Sequence, residues 1–276
     1  MPSTTFIRAP DCAKDAVVAS DTYSREMRTS LGASIVGLVV ASVLGMPSVA
    51  RAEVVPVEMM LPGAATSAED STPVQLASDV YIPEATPAPA VLLAHGFGGS
   101  KEGLAEEAQL LADAGYVVLA YTARGFGEST GEISMNSPEF EVADARVLVD
   151  YLGSLASVSS EAPGDPIVGV GGGSYGGALA LLLAGYDDRI DAVVADITWN
   201  DLETSLLAQS AVGGAQPGVL KSLWTSLFFS SGLGLEPGQP VTECGRFAPA
   251  WCAAYVDAIT DGTVTAESAA LMAASS

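Results

Sequence analysis

Histidine is nearly absent from this sequence: among 276 residues there is one, His95. Cysteine is scarce as well, with three in the chain, and no histidine near Cys244 or Cys252 completes a zinc set. Basic residues are few, 11 against 33 acidic ones, and the net charge of −22 repels phosphate backbones and anionic lipid surfaces. Nucleic acid is thereby excluded as a partner. Charged residues make up only 16% of the chain, so the acidity reads as that of a plain soluble protein more readily than as adaptation to salt. No internal repeat or low-complexity tract follows residue 52. What is present, 49% hydrophobic residues and 29 glycines, is enough for one sizeable α/β domain with a core.

The N-terminal part carries an address. Arg25 and Arg28 precede an apolar run from Leu31 to Leu44, followed by Pro47 and Ala50-Arg51-Ala52. This is the n-region, h-region and A-x-A pattern of a secretory signal peptide over 27–52, with cleavage expected between Ala52 and Glu53. The run contains Gly37 and Gly45 and is short for a bilayer span, which argues against a retained anchor. Residues 1–26 read as a non-structural extension, and a start at Met27 would account for them. The mature chain is expected to be secreted or extracytoplasmic, with no stable membrane partner. Removing the signal also removes Cys12, so Cys244 and Cys252 are expected to pair in an oxidising compartment.

From residue 53 to 198 the pattern alternates. Val74–Ile82 reads as a half-exposed antiparallel strand between surface connectors at 63–71 and 84–89. Ala90–Ala94 and Val117–Tyr121 are continuous apolar runs of the kind covered on both faces, separated by a helical segment at 103–114. Helix is expected again at 139–155 and 175–184, and strand at 166–170 and 192–196. Such alternation builds a mostly parallel sheet with helices on both faces and functional groups at the strand C-termini. Residues 199–276 change character to a helical, aromatic-bearing stretch with Trp224, Phe228, Phe229 and Trp251, which reads as a cap.

The sharpest signal is Gly172-Gly173-Ser174-Tyr175-Gly176, a G-x-S-x-G placed at a strand-to-helix turn. The turn presents the serine oxygen above the sheet, and bulky neighbours would clash with the packed helix. Ser174 is therefore the candidate nucleophile. His95-Gly96-Phe97-Gly98-Gly99 follows the strand ending at Ala94 and supplies a glycine-lined loop, so the backbone N–H groups of Phe97 and Tyr175 are the candidate oxyanion donors. His95 precedes the serine and is read as structural. No cofactor or metal is implied.

Together with Ala123-Arg124-Gly125-Phe126-Gly127-Glu128-Ser129 and the stretch from Asp187 to Trp199, these motifs resemble the α/β-hydrolase superfamily. Within it they are similar to the X-prolyl dipeptidyl-peptidase-like and cocaine-esterase-like serine hydrolases. The resemblance covers about residues 74–200. It implies the α/β-hydrolase fold, a small-molecule ester or peptide substrate, and a structural turn containing Arg124 and Gly127. The family pattern also wants an acid and then a histidine after the nucleophile, and no histidine follows Ser174. Asp196 is a candidate stand-in acid. The expectation is a chain that lacks the last strands of its fold and works poorly alone; the alternative is a non-catalytic binding protein on the same fold.

Overall fold

The computed structural model describes residues 54–208, 219–232, 244–261 and 264–276. The expected signal segment and its cleavage site lie outside these. Six strands form the central sheet: β1 (Val57–Ala65), β2 (Pro73–Tyr81), β3 (Ala90–Ala94), β4 (Val117–Tyr121), then β7 (Val168–Gly173) and β8 (Ile190–Asp196). Between β4 and β7 a small hairpin of β5 (Ser160–Ala162) and β6 (Asp165–Pro166) stands apart. The sheet order is β1-β2-β4-β3-β7-β8. The first two pairings are antiparallel and the last three parallel, so the sheet is mostly parallel and the fold is that of an α/β hydrolase.

Strand alternation divides the core between two faces. Leu92, Leu119 and Tyr121 point into the larger cluster, which takes in Leu148 and Leu152 of α2 (Glu141–Ser154) and Leu179 and Leu183 of α3 (Tyr175–Tyr186). Leu93, Val118 and Ala120 point the other way, onto Ala108 and Ala112 of α1 (Ala105–Asp113). Each such leucine is removed from water and contributes roughly 1.5–3 kcal/mol.

Two readings of the sequence need correction here. Residues 57–65 form a strand where a connector beginning at Gly63 was expected. Pro62 sits on this edge strand beside an irregularity in the pairing, where a missing N–H does no harm. Gly63 is there for close approach, since a Cβ would lie 2.4 Å from Asp144 Oδ1. With β1 on one side and β4 on the other, β2 is almost wholly buried from Val74 onward and not half-exposed.

Beyond Asn200 come α4 (Leu202–Leu206), α5 (Ser222–Gly232), α6 (Pro249–Asp261) and α7 (Ala266–Ala273). A two-residue antiparallel pair, β9 (Leu207–Ala208) with β10 (Val219–Leu220), interrupts the all-helical cap expected for this region. Cys244 and Cys252 are joined by a disulfide at the start of α6. Of the cap aromatics, Trp251 is buried, Phe228 and Phe229 pack on the core, and Trp224 is 53% exposed. No described helix is long and apolar enough to cross a membrane.

Candidate active site

β7 runs on through Gly172 and Gly173, further than the expected stop at Val170, and delivers Ser174 at the N-cap of α3. Ser174 has φ 54° and ψ −114°, a conformation that costs a non-glycine residue on the order of 1–3 kcal/mol. Its neighbours explain how the turn is held. A Cβ on Gly176 would lie 2.0 Å from the Ala94 carbonyl oxygen, and one on Gly172 would lie 2.5 Å from the same atom. Ser174 N–H donates to Asp196 O (2.8 Å), and the Ser174 carbonyl accepts from Ala178 N (3.0 Å) and from Thr198 Oγ1 (2.7 Å).

The loop after β3 lies alongside, because β3 pairs with β7 and sets Ala94 opposite Gly172. A Cβ built on Gly96 would come within 3.9 Å of the Ser174 Cβ. Phe97 is half-buried in this loop, with its ring 5.3 Å from Tyr175 and 5.0 Å from Phe126. The two expected oxyanion donors thus belong to segments that meet at Ser174.

His95 is 4% exposed. Its Nδ1 lies 2.7 Å from Gly96 O and its Nε2 accepts from Ala123 N (2.9 Å), which assigns the proton to Nδ1. Both nitrogens are occupied by backbone groups, and burial holds the imidazole below its ordinary pKa. The ring joins the end of β3 to the residue before Arg124. Asp196 is exposed at the end of β8.

Arg124 is fully buried and makes a paired contact with Asp144 of α2, Nε to Oδ2 and Nη2 to Oδ1, both 2.7 Å. Burial alone would lower the guanidinium pKa, but the Asp144 bonds more than offset it and the net shift is upward. Asp144 also accepts from Ala64 N (2.7 Å). Next to this pair, Glu141 accepts from Ser134 N (2.5 Å) and Ser137 N (3.0 Å) and meets the Tyr175 hydroxyl at 3.3 Å. Its burial pushes its pKa up to about 7. Burial, and then the neighbouring Glu141, hold the Tyr175 phenol well above its ordinary value. Asn136, with φ 63°, donates from Nδ2 to Tyr175 O (2.8 Å), and its buried Oδ1 has no partner among the described residues.

Sequence reasoning missed Asn136, Glu141, Asp144 and Thr198. Asp144 and Glu141 find their partners Arg124 and Tyr175 20 and 34 residues away, beyond any local signal, and Asn136 and Thr198 lie in loops without periodicity. The cap closes over the site through rings, with Phe97 5.2 Å from Phe228 and 6.0 Å from Phe247. Behind them is an apolar cavity of about 40 Å³ lined in part by Met135, Phe229, Trp251 and Tyr255. Among the described residues no cluster of three or more His, Cys, Asp or Glu side chains is placed to hold a metal ion.

A sequence profile of the X-Pro dipeptidyl-peptidase (S15 family) matches residues 70–226. An uncharacterised protein of Pseudomonas aeruginosa is 33% identical over 134 residues, 46% of this chain and 34% of its own. The quorum-quenching protein AidA of Acinetobacter baumannii is 27% identical over 146 residues, 52% of this chain and 46% of its own. The chain therefore spans between a third and a half of the length of these relatives. Among solved structures, an esterase of Pyrococcus furiosus is similar at 21% identity and a TM-score of 0.42, covering 52% of this chain and 53% of that one.

Proposed function

Because the chain belongs to the X-Pro dipeptidyl-peptidase (S15) family of α/β hydrolases, we propose that it is an exported serine hydrolase acting on ester or amide bonds, X-prolyl peptides included, with Ser174 as nucleophile. The observation that carries this reading is the backbone of Ser174. Ser174 is a non-glycine residue at φ 54°, between Gly172 and Gly176, which leave no room for a Cβ, and it stands where a strand turns into the N-terminus of a helix, the local geometry that presents a nucleophile.

In the proposed reaction Ser174 Oγ attacks the carbonyl carbon while the N–H groups of Phe97 and Tyr175 stabilise the oxyanion; the bond to the alcohol or amine then breaks, that group leaving with the serine's proton, and water hydrolyses the acyl-serine to the free acid and the restored Ser174 hydroxyl. His95 is not the general base, since neither ring nitrogen is free to take a proton from Ser174 without losing a backbone bond. With no second histidine in the sequence, the 276 residues alone are expected to retain only the ~10³–10⁴-fold acceleration that binding and oxyanion stabilisation give.

The commitment of His95 favours one competing reading, a hydrolase fold kept for binding. A fluorophosphonate probe separates the two. Covalent labelling of the wild type that disappears in Ser174→Ala supports the nucleophile, and equal absence of label in both supports the binding protein.

A further inference from the structure

Ser174 O and Tyr175 N–H are the two ends of one planar trans peptide, so whatever fixes the carbonyl also aims the N–H. In α3 that carbonyl accepts the ordinary helical bond from Ala178 N at 3.0 Å. It also accepts a second, shorter bond of 2.7 Å from the Thr198 hydroxyl, which comes from outside the helix. The next carbonyl along, Tyr175 O, is held by Asn136 Nδ2 at 2.8 Å. Tyr175 is thus gripped on its far side by Asn136 and on its near side by Thr198.

The chain adopts an unfavourable turn to put Thr198 there. Ile197 has φ 41°, which a β-branched residue avoids. The residue is 83% exposed, so burial of the isoleucine does not explain the kink. Immediately past this kink the Thr198 hydroxyl meets Ser174 O, while Asp196 O, at the end of β8 where the strand pairs with β7, accepts from Ser174 N–H. A hydrogen bond to the carbonyl also polarises the amide and strengthens its N–H as a donor.

We propose that Thr198 is a positioning residue for the oxyanion site: its hydroxyl fixes and polarises the Ser174–Tyr175 peptide, so that the Tyr175 N–H meets the developing negative charge. This rests on the reading of Ser174 as nucleophile.

The test uses the full chain, p-nitrophenyl acetate, and its thiono counterpart, whose sulfur accepts hydrogen bonds weakly. Thr198→Val is expected to slow acylation by the oxygen ester about five- to tenfold, the worth of one hydrogen bond. KM should change less than twofold and the thiono ester should slow distinctly less, while Thr198→Ser restores the wild-type rates. An unchanged rate in Thr198→Val, equal losses on both esters, or a Thr198→Ser as slow as Thr198→Val would overturn the proposal while leaving the nucleophile intact. Should Thr198→Val not fold, Thr198→Ala is read by the same ratio of the two esters. Ser174→Ala run beside them shows which claim is at fault: full activity there removes the nucleophile reading and this inference with it.

Discussion

Beneath Ser174 the contacts are backbone against backbone and charge against charge. Gly172 and Gly176 touch the Ala94 carbonyl, both nitrogens of His95 bind main-chain groups, and Arg124 and Asp144 face each other out of water. Above Ser174 the contacts are rings. Phe97, Phe228, Phe229, Phe247 and Tyr255 stack or tilt against one another, with a small cavity among them. The lower side is held by directional bonds, so it defines one geometry. The upper side relies on non-directional contacts that rearrange at small cost. The site is thus built from a fixed floor and an adaptable wall.

The largest expected effect lies on the lower side. Arg124→Ala leaves Asp144 buried with only the Ala64 N–H, and should cost ~3–5 kcal/mol in urea unfolding. The double variant Arg124→Ala/Asp144→Ala should cost less than the two single losses combined. Additive losses would mean that the pair is no unit, and the contrast between the two sides would weaken.

The second effect is a pH dependence of opposite signs. Glu141 has its folded pKa raised from the usual 4.5 to about 7. The folded state therefore holds a proton that the unfolded chain has released, and this stabilisation, on the order of 3 kcal/mol, is lost as pH rises from 4.5 to about 7. His95, lowered from 6.5, acts the other way: its contribution is present above pH 6.5 and lost as pH falls below that value. The stability difference between wild type and Glu141→Gln should shrink in favour of the variant as pH rises through this window, and a difference that is flat with pH would remove Glu141 from the account.

The smallest effect belongs to the cap. Reducing Cys244–Cys252, which closes a loop with a sequence separation of 8, should cost about 2–3 kcal/mol on loop entropy. The loss should appear as earlier hydrogen exchange in α6, with β3 and β7 unaffected. Equal acceleration in the sheet would show that cap and core unfold as one.

Much of the lower side was legible because its signals are local. The continuous apolar runs located β3 and β4, and Gly172-Gly173-Ser174-Tyr175-Gly176 named the turn, its glycines standing where no Cβ fits. β1 was not legible, because Pro62 and Gly63 mimic loop chemistry; their reasons are an edge position and an approach to Asp144, 80 residues away from its Ala64 partner. The Arg124–Asp144 pair, the Glu141–Tyr175 contact and the Thr198 bond to Ser174 O join residues 20 to 34 apart, and no spacing rule encodes them. The little β9–β10 pair was hidden for another reason: two-residue strands carry no periodicity.

The single imidazole has a practical consequence. In a protein with one histidine, the proton spectrum carries one set of imidazole signals, with no assignment to make. That set reports from the junction of β3, the Phe97 loop and Ala123. An acylating reagent that reacts with free imidazole reaches His95 only when this junction opens, so its rate of modification measures how often the floor of the site comes apart, independently of any substrate.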